Sequence, residues 1–107
     1  MSNNRIAGQY RQGDVLLISS LLPDGATEDP APGNVVLQSG VATGHKHQLS
    51  RKCARLMIDG DRRYLHVRGG KASLKHEEHG TISIPPGTYR VLLPKQYTPA
   101  MNINVSD

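Results

Sequence analysis

Apolar residues in this chain come in short runs that end abruptly at Gly, Pro, Asp or a charged pair: GDVLLIS (13–19), NVVLQSGVAT (34–43), ARLMID (54–59), RRYLHVR (62–68), ASLKH (72–76), TISI (81–84) and TYRVLLP (88–94). Runs of this length, rich in Val, Ile, Leu and Thr, predict β-strands. Asp59-Gly60-Asp61 between two of them predicts a hairpin turn, and Pro85-Pro86-Gly87-Thr88 a turn with glycine where φ must be positive. Between the first two runs lies LLPDGATEDPAPGN (21–34), whose prolines and glycines disfavour regular structure and whose Asp24, Glu28 and Asp29 make it acidic. No stretch carries a helical period and no segment repeats. The expected fold is therefore all-β, a small antiparallel barrel or sandwich of at least six strands. The polar first ten residues predict a flexible N-terminal segment (1–10) ahead of a single β domain (11–107).

Composition narrows the core. With 107 residues, 36% hydrophobic, no Phe, no Trp and 4 Tyr, the interior is built from aliphatic side chains and is thin. A thin core favours added stability from a metal ion or a homo-oligomer interface. No apolar run approaches the roughly 20 residues that span a bilayer, and the N-terminus has no secretory h-region, so the expectation is a cytoplasmic protein with no membrane partner. The single cysteine, Cys53, fits a reducing compartment and reads as a small apolar residue.

The net charge of +4 is concentrated. Between Arg51 and Lys75 stand eight cationic residues against two acidic ones, Asp59 and Asp61. Such an excess suits nucleic acid or a phosphorylated ligand, with Arg51, Lys52, Arg62, Arg63, Arg68 and Lys71 as candidate contacts. The competing reading is a solvated face whose long cations keep sheet edges apart. A supply of 4% aromatic residues is poor for stacking single-stranded bases.

The densest chemistry lies in the histidines. In the extended stretch VATGHKHQLS (41–50), His45 and His47 sit two apart and so share a face. KHEEHG (75–80) adds His76 and His79 around Glu77 and Glu78. Imidazole with carboxylate suits a divalent transition metal (Zn, Fe, Mn, Ni or Cu), and spacing does not choose among them. HEEH lacks the four-residue histidine spacing of the helical HExxH signature. The expectation is that His45, His47 and His79 meet at one point, with His76 or one of the glutamates nearby. Glu77 or Glu78 could act as general base when not a ligand. No nucleophile–base pair stands out, so enzymatic activity stays open. In RRYLHVR, the alternation puts Tyr64, His66 and Arg68 on one face and Leu65 and Val67 on the other, with His66 expected to face solvent among arginines.

A glycine-led HxH, followed by a glycine, an I-x-I strand and a PPG turn, resembles the two motifs of the cupin superfamily over residues 40–89. That resemblance implies a double-stranded β-helix barrel holding a metal between its strands. The chain departs from it at two ligands: the first motif's glutamate falls on Arg51 or Lys52, and the second motif's histidine on Arg90. His76, His79 and a glutamate would have to replace them. The chain is also similar to small uncharacterised bacterial and phage proteins with QGDVLL, TGHxH and HEEHxxIxxPPGTYxV, a likeness that implies positions but no reaction. Three functions follow as expectations: a metal-binding β-barrel with a histidine cluster, a nucleic-acid or polyanion module using residues 51–75, and a non-catalytic phage or defence accessory protein with a structural metal.

Overall fold

A computed structural model describes residues 8–40 and 44–93. Ten strands are present among them: β1 (Gln9–Gln12), β2 (Val15–Ser19), β3 (Thr27–Glu28), β4 (Val35–Ser39), β5 (Lys46–Leu49), β6 (Ala54–Asp59), β7 (Arg62–Val67), β8 (Ala72–Leu74), β9 (Ile82–Ile84) and β10 (Gly87–Leu92). All pairings are antiparallel, and no described residue is helical. One six-stranded sheet runs β1-β2-β10-β7-β6-β3, and two hairpins, β4-β5 and β8-β9, complete the fold. A reciprocal backbone pair between Gln48 and Lys75 stitches the hairpins edge to edge. The result is a small all-β fold of antiparallel sheets, a barrel or sandwich.

Alternation along the strands makes its core. In β2, Val15 and Leu17 are buried while Leu16 and Ile18 are only half-buried; in β4, Val35 and Leu37 repeat the pattern. These side chains join Leu49, Leu65, Val67, Leu74, Ile84 and Val91 in one cluster to which the six-stranded sheet and both hairpins contribute. Its members are aliphatic with one ring, Tyr89, as the composition requires.

Two expectations are corrected here. Gln9 and Tyr10, assigned to the flexible segment, pair with Ile18 and Leu17. The Tyr10 ring also meets Tyr89 edge-on at 5.7 Å, so the polar run QYRQ is held by register and one aromatic contact. Residues 1–7 of that segment, and the end of the domain from 94 onward, lie outside the described residues. As expected, the first predicted strand opens after Gly13-Asp14, with β2 starting at Val15 and Gly13 at φ 55° in the turn. Within the proline-rich loop, Thr27 and Glu28 pair with Ile58 and Met57. There the Glu28 carboxylate accepts from Arg51 at 2.8 Å and lies 3.4 Å from Arg55, so opposite charges draw the acidic loop onto the basic segment.

The expected Asp-Gly hairpin is present, with Asp59 opposite Arg62 and Gly60 at φ 65°. Tyr64 departs from the expected polar face: it is buried, as are Leu65 and Val67, because β7 is an interior strand of the six-stranded sheet.

β4 carries a bulge between Val36 and Gln38, which puts Gln38 opposite His47. A bulge takes backbone groups out of the ladder, and here the Arg63 guanidinium donates to the Val36 carbonyl at 3.1 Å and the Leu37 carbonyl at 3.0 Å. Burial pushes the Arg63 pKa down while Asp29 pulls it back up. Arg63 is thus a tie between β7 and the β4-β5 hairpin, which is why it does not stand with the other cations on the surface.

Candidate metal centre

Three hairpin regions converge beside the stitched edge. The β1–β2 turn brings Gln12, Gly13 and Asp14; β5 brings His47, with His45 just before it; and the β8–β9 connection brings His76, Glu77, Glu78 and His79. All of these but Gln12 and Glu77 line an open cleft of about 280 Å3. Nitrogens of His47, His76 and His79 lie within 4.8 Å of one another, and a second trio, His45, His76 and Glu77, meets the same limit. The two share His76. Ring centroids are 4.2 Å apart for His47–His76, 4.5 Å for His76–His79 and 5.7 Å for His47–His79.

His47 is the fixed member. It is 5% exposed, and its Nδ1 lies 2.9 Å from Gln12 Oε1. The Gln12 amide is itself oriented, because Nε2 donates to the carbonyls of Leu74 at 2.8 Å and Gly80 at 2.9 Å. Its remaining oxygen can only accept, so His47 Nδ1 carries the proton and Nε2 keeps a lone pair for an ion. Metal-binding histidines are commonly oriented this way by an acceptor behind the ring. Burial, then the neighbouring His76 and His79, depress the His47 pKa from 6.5 to about 4, against a smaller opposing pull from Asp14 and Glu77. The ring is therefore neutral at physiological pH, as a ligand must be.

His76 and His79 are held more loosely. His76 Nδ1 accepts the Glu78 backbone N–H at 3.0 Å, which places its proton on Nε2. Ligation through either nitrogen makes this ring move its proton or give up that bond. His79 is exposed and rests over Gly13, where a Cβ would come within 2.6 Å of its Nε2 and 3.2 Å of His47 Cε1. A tetrahedral ion with nitrogen ligands holds them about 3.3 Å apart, and His76 and His79, less tightly held than His47, are the rings that would adjust to that spacing.

The remaining candidates sit around this trio. His45 packs edge-on against His76 at 5.6 Å, and its Nδ1 is 3.7 Å from the Glu78 carboxylate. Glu77 accepts the Lys46 backbone N–H at 2.9 Å, and that bond leads the causes that lower its pKa. The expected trio of His45, His47 and His79 is thereby revised. His45, just ahead of β5, lines the same cleft as His47 but groups with His76 and Glu77 rather than with His47 and His79.

His66 is away from the cluster. Its Nδ1 pairs with Thr88 Oγ1 at 2.8 Å across β7 and β10, so the ring is half-buried rather than exposed. Among the candidate anion contacts, Lys52, Arg62, Arg68 and Lys71 are exposed, Arg51 is paired with Glu28, and Arg63 is spent on β4. Gln12, Gly13 and Asp14 belong to the site without having been singled out for it. Their only signal is the QGD run ahead of VLL, which cannot show that the turn lands on β5.

Neutral His47 makes metal-free stability depend on pH. The unfolded imidazole takes a proton below about 6.5, the folded one only near 4. Between those values the unfolded state binds more protons, so the contribution is full above 6.5 and is lost as pH falls toward 4. After discounting for solvent in the open cleft, the loss should be about 1–2 kcal/mol. Urea melts of chelator-treated protein at pH 7.5 and 4.5 measure it, and His47→Gln should flatten the slope by that amount. An unchanged slope in the variant would show that His47 is not held neutral.

A small antiparallel all-β domain with four histidines gathered at its hairpin ends defines the class of protein. Within that class, the chain belongs to the family DUF8820, a domain of unknown function whose sequence model matches residues 11–93. No curated protein and no solved structure matches the chain. The matched span takes in Gln12, Gly13 and all of the cluster's histidines.

Proposed function

We propose that this protein binds one divalent transition metal ion (Zn, Fe, Mn or Ni) through His47, His76 and His79. The carrying observation is the buried chain from the Leu74 and Gly80 carbonyls through the Gln12 amide to His47 Nδ1, which presents a neutral, oriented imidazole to an open cleft. A lone surface histidine needs no such backing. Three imidazoles with an open side match the ligand number of reactive rather than closed structural sites. The cupin-like HxH and PPG motifs support the same reading, with the HEEH connection supplying the ligands those motifs lack here.

An ion so placed supplies Lewis acidity toward an oxygen-bearing ligand entering the cleft. Around it, Glu78 reaches the cleft with an exposed carboxylate near His45, where it can hold or move a proton. Glu77 is tied to Lys46 and serves to fix the connection against β5.

The test is elemental analysis of untagged protein, followed by melting with and without chelator. About one equivalent of metal per chain is expected, with stabilisation of about 2.7 kcal/mol when free metal exceeds Kd a hundredfold. His47→Ala with His79→Ala should remove both, whereas His45→Ala should keep the metal. Wild-type protein that binds no metal and ignores the chelator overturns the proposal.

A further inference from the structure

At the far end of β10 from the β1–β2 turn, the six-stranded sheet carries a second, chemically different concavity. Arg55, His66 and Thr88 form one cross-strand row over β6, β7 and β10. Beside that row the turn at residues 51–53 and the Gly69-Gly70 bend close a pocket of about 490 Å3, lined by Lys52, Cys53, Arg55, His66, Arg68 and Gly69. The Arg68 N–H donates to the Cys53 carbonyl at 2.9 Å and ties the two walls together. Three of the six lining residues are cationic and none is acidic. Arg55 is aimed through Nη1 by the Ala54 carbonyl at 2.9 Å and by the Arg51 carbonyl, with Glu28 3.4 Å from its Nε, and none of these contacts uses its Nη2. Lys52 and Arg68 have no ion-pair partner among the described residues. Gly69, at φ 85° with open space where a Cβ would stand, lets a ligand approach the backbone.

We propose that this pocket binds a phosphate monoester, its dianion met by Lys52, Arg55 and Arg68, with His66 and the Gly69 backbone at its edge. Clustered cations around a concave site favour a doubly charged group that accepts several charge-assisted hydrogen bonds. A polynucleotide fits less well. Its backbone needs a continuous basic track, and the cations that would extend one are committed: Arg51 through both terminal nitrogens to Ala31 and Glu28, and Arg63 to β4. No aromatic residue lines the pocket to stack a base. The proposal is independent of the metal site.

Cys53, the only cysteine and part of the lining, reports occupancy. In chelator-treated protein, alkylation of Cys53 by neutral iodoacetamide should slow about fivefold as phenyl phosphate or inorganic phosphate saturates the site, at constant ionic strength. Lys52→Ser with Arg68→Ser, both at exposed positions, should weaken binding about tenfold or more while leaving circular dichroism unchanged. Protection by potassium chloride to the same extent overturns the proposal, as does protection undiminished in the double variant. Protection by a single-stranded oligonucleotide but not by either phosphate would also overturn it, and would make the surface a strand-binding one.

Discussion

Gly13→Ala is expected to abolish the proposed metal binding while leaving the protein folded. Two effects act at one atom. Gly13 has φ 55°, where an alanine costs about 1–2 kcal/mol. The added methyl would also stand 2.6 Å from His79 Nε2 and 3.0 Å from its Cδ2, closer than real contacts allow. His79 is the exposed end of a side chain on a connection, so it can swing aside, and stability should fall by little more than the backbone strain. Metal affinity should fall about a hundredfold or more, since one ligand is pushed from its place over His47. The two effects separate in a cycle with His79→Ala: once the ring is gone, the alanine should still cost stability but have almost no further effect on metal. If Gly13→Ala weakens metal binding equally in both backgrounds, the glycine acts only through the backbone and His79 is not a ligand.

That prediction rests on a contact the sequence could suggest only in part. The strands with alternating side chains were legible, because β2, β4 and β6 bury one face and their apolar period shows it. β1 was hidden, since QYRQ has no apolar period and is recruited by pairing with β2. β3 is two residues long, too short for any pattern, and depends on Glu28 meeting Arg51 and Arg55. In the site, residue types were readable and their arrangement was not. His45 and His47 do open onto one cleft, but which of them groups with His79 depends on how the HEEH connection folds over β5. The charge excess of residues 51–75 was visible as a number. Which cations remain available was not, because the β4 bulge that claims Arg63 depends on the register with β5.

Gln12→Leu should be the most damaging single change near the site, because it removes a group that three elements share. Gln12 is 3% exposed and joins Leu74 of β8, Gly80 of the histidine connection and His47 of β5 to the β1–β2 turn. Leucine fills similar space but offers no donor, so the Leu74 carbonyl loses a buried partner and the His47 N–H its acceptor. The Gly80 carbonyl lies nearer the surface, where water can replace the amide. Two buried groups left unpaired cost about 2–4 kcal/mol together. Freed to rotate and to exchange tautomers, His47 should also bind metal about 10–100-fold less tightly. Gln12→Glu separates the two roles. Its carboxylate can still accept from His47, but it cannot donate to either carbonyl, and its charge favours the imidazolium. It should therefore lose stability and raise the His47 pKa above its depressed value, which imidazole proton NMR titration of the metal-free protein would show. A glutamate variant with unchanged His47 titration would mean that the amide oxygen does not face Nδ1, and the oriented-ligand account of this site would fall with it.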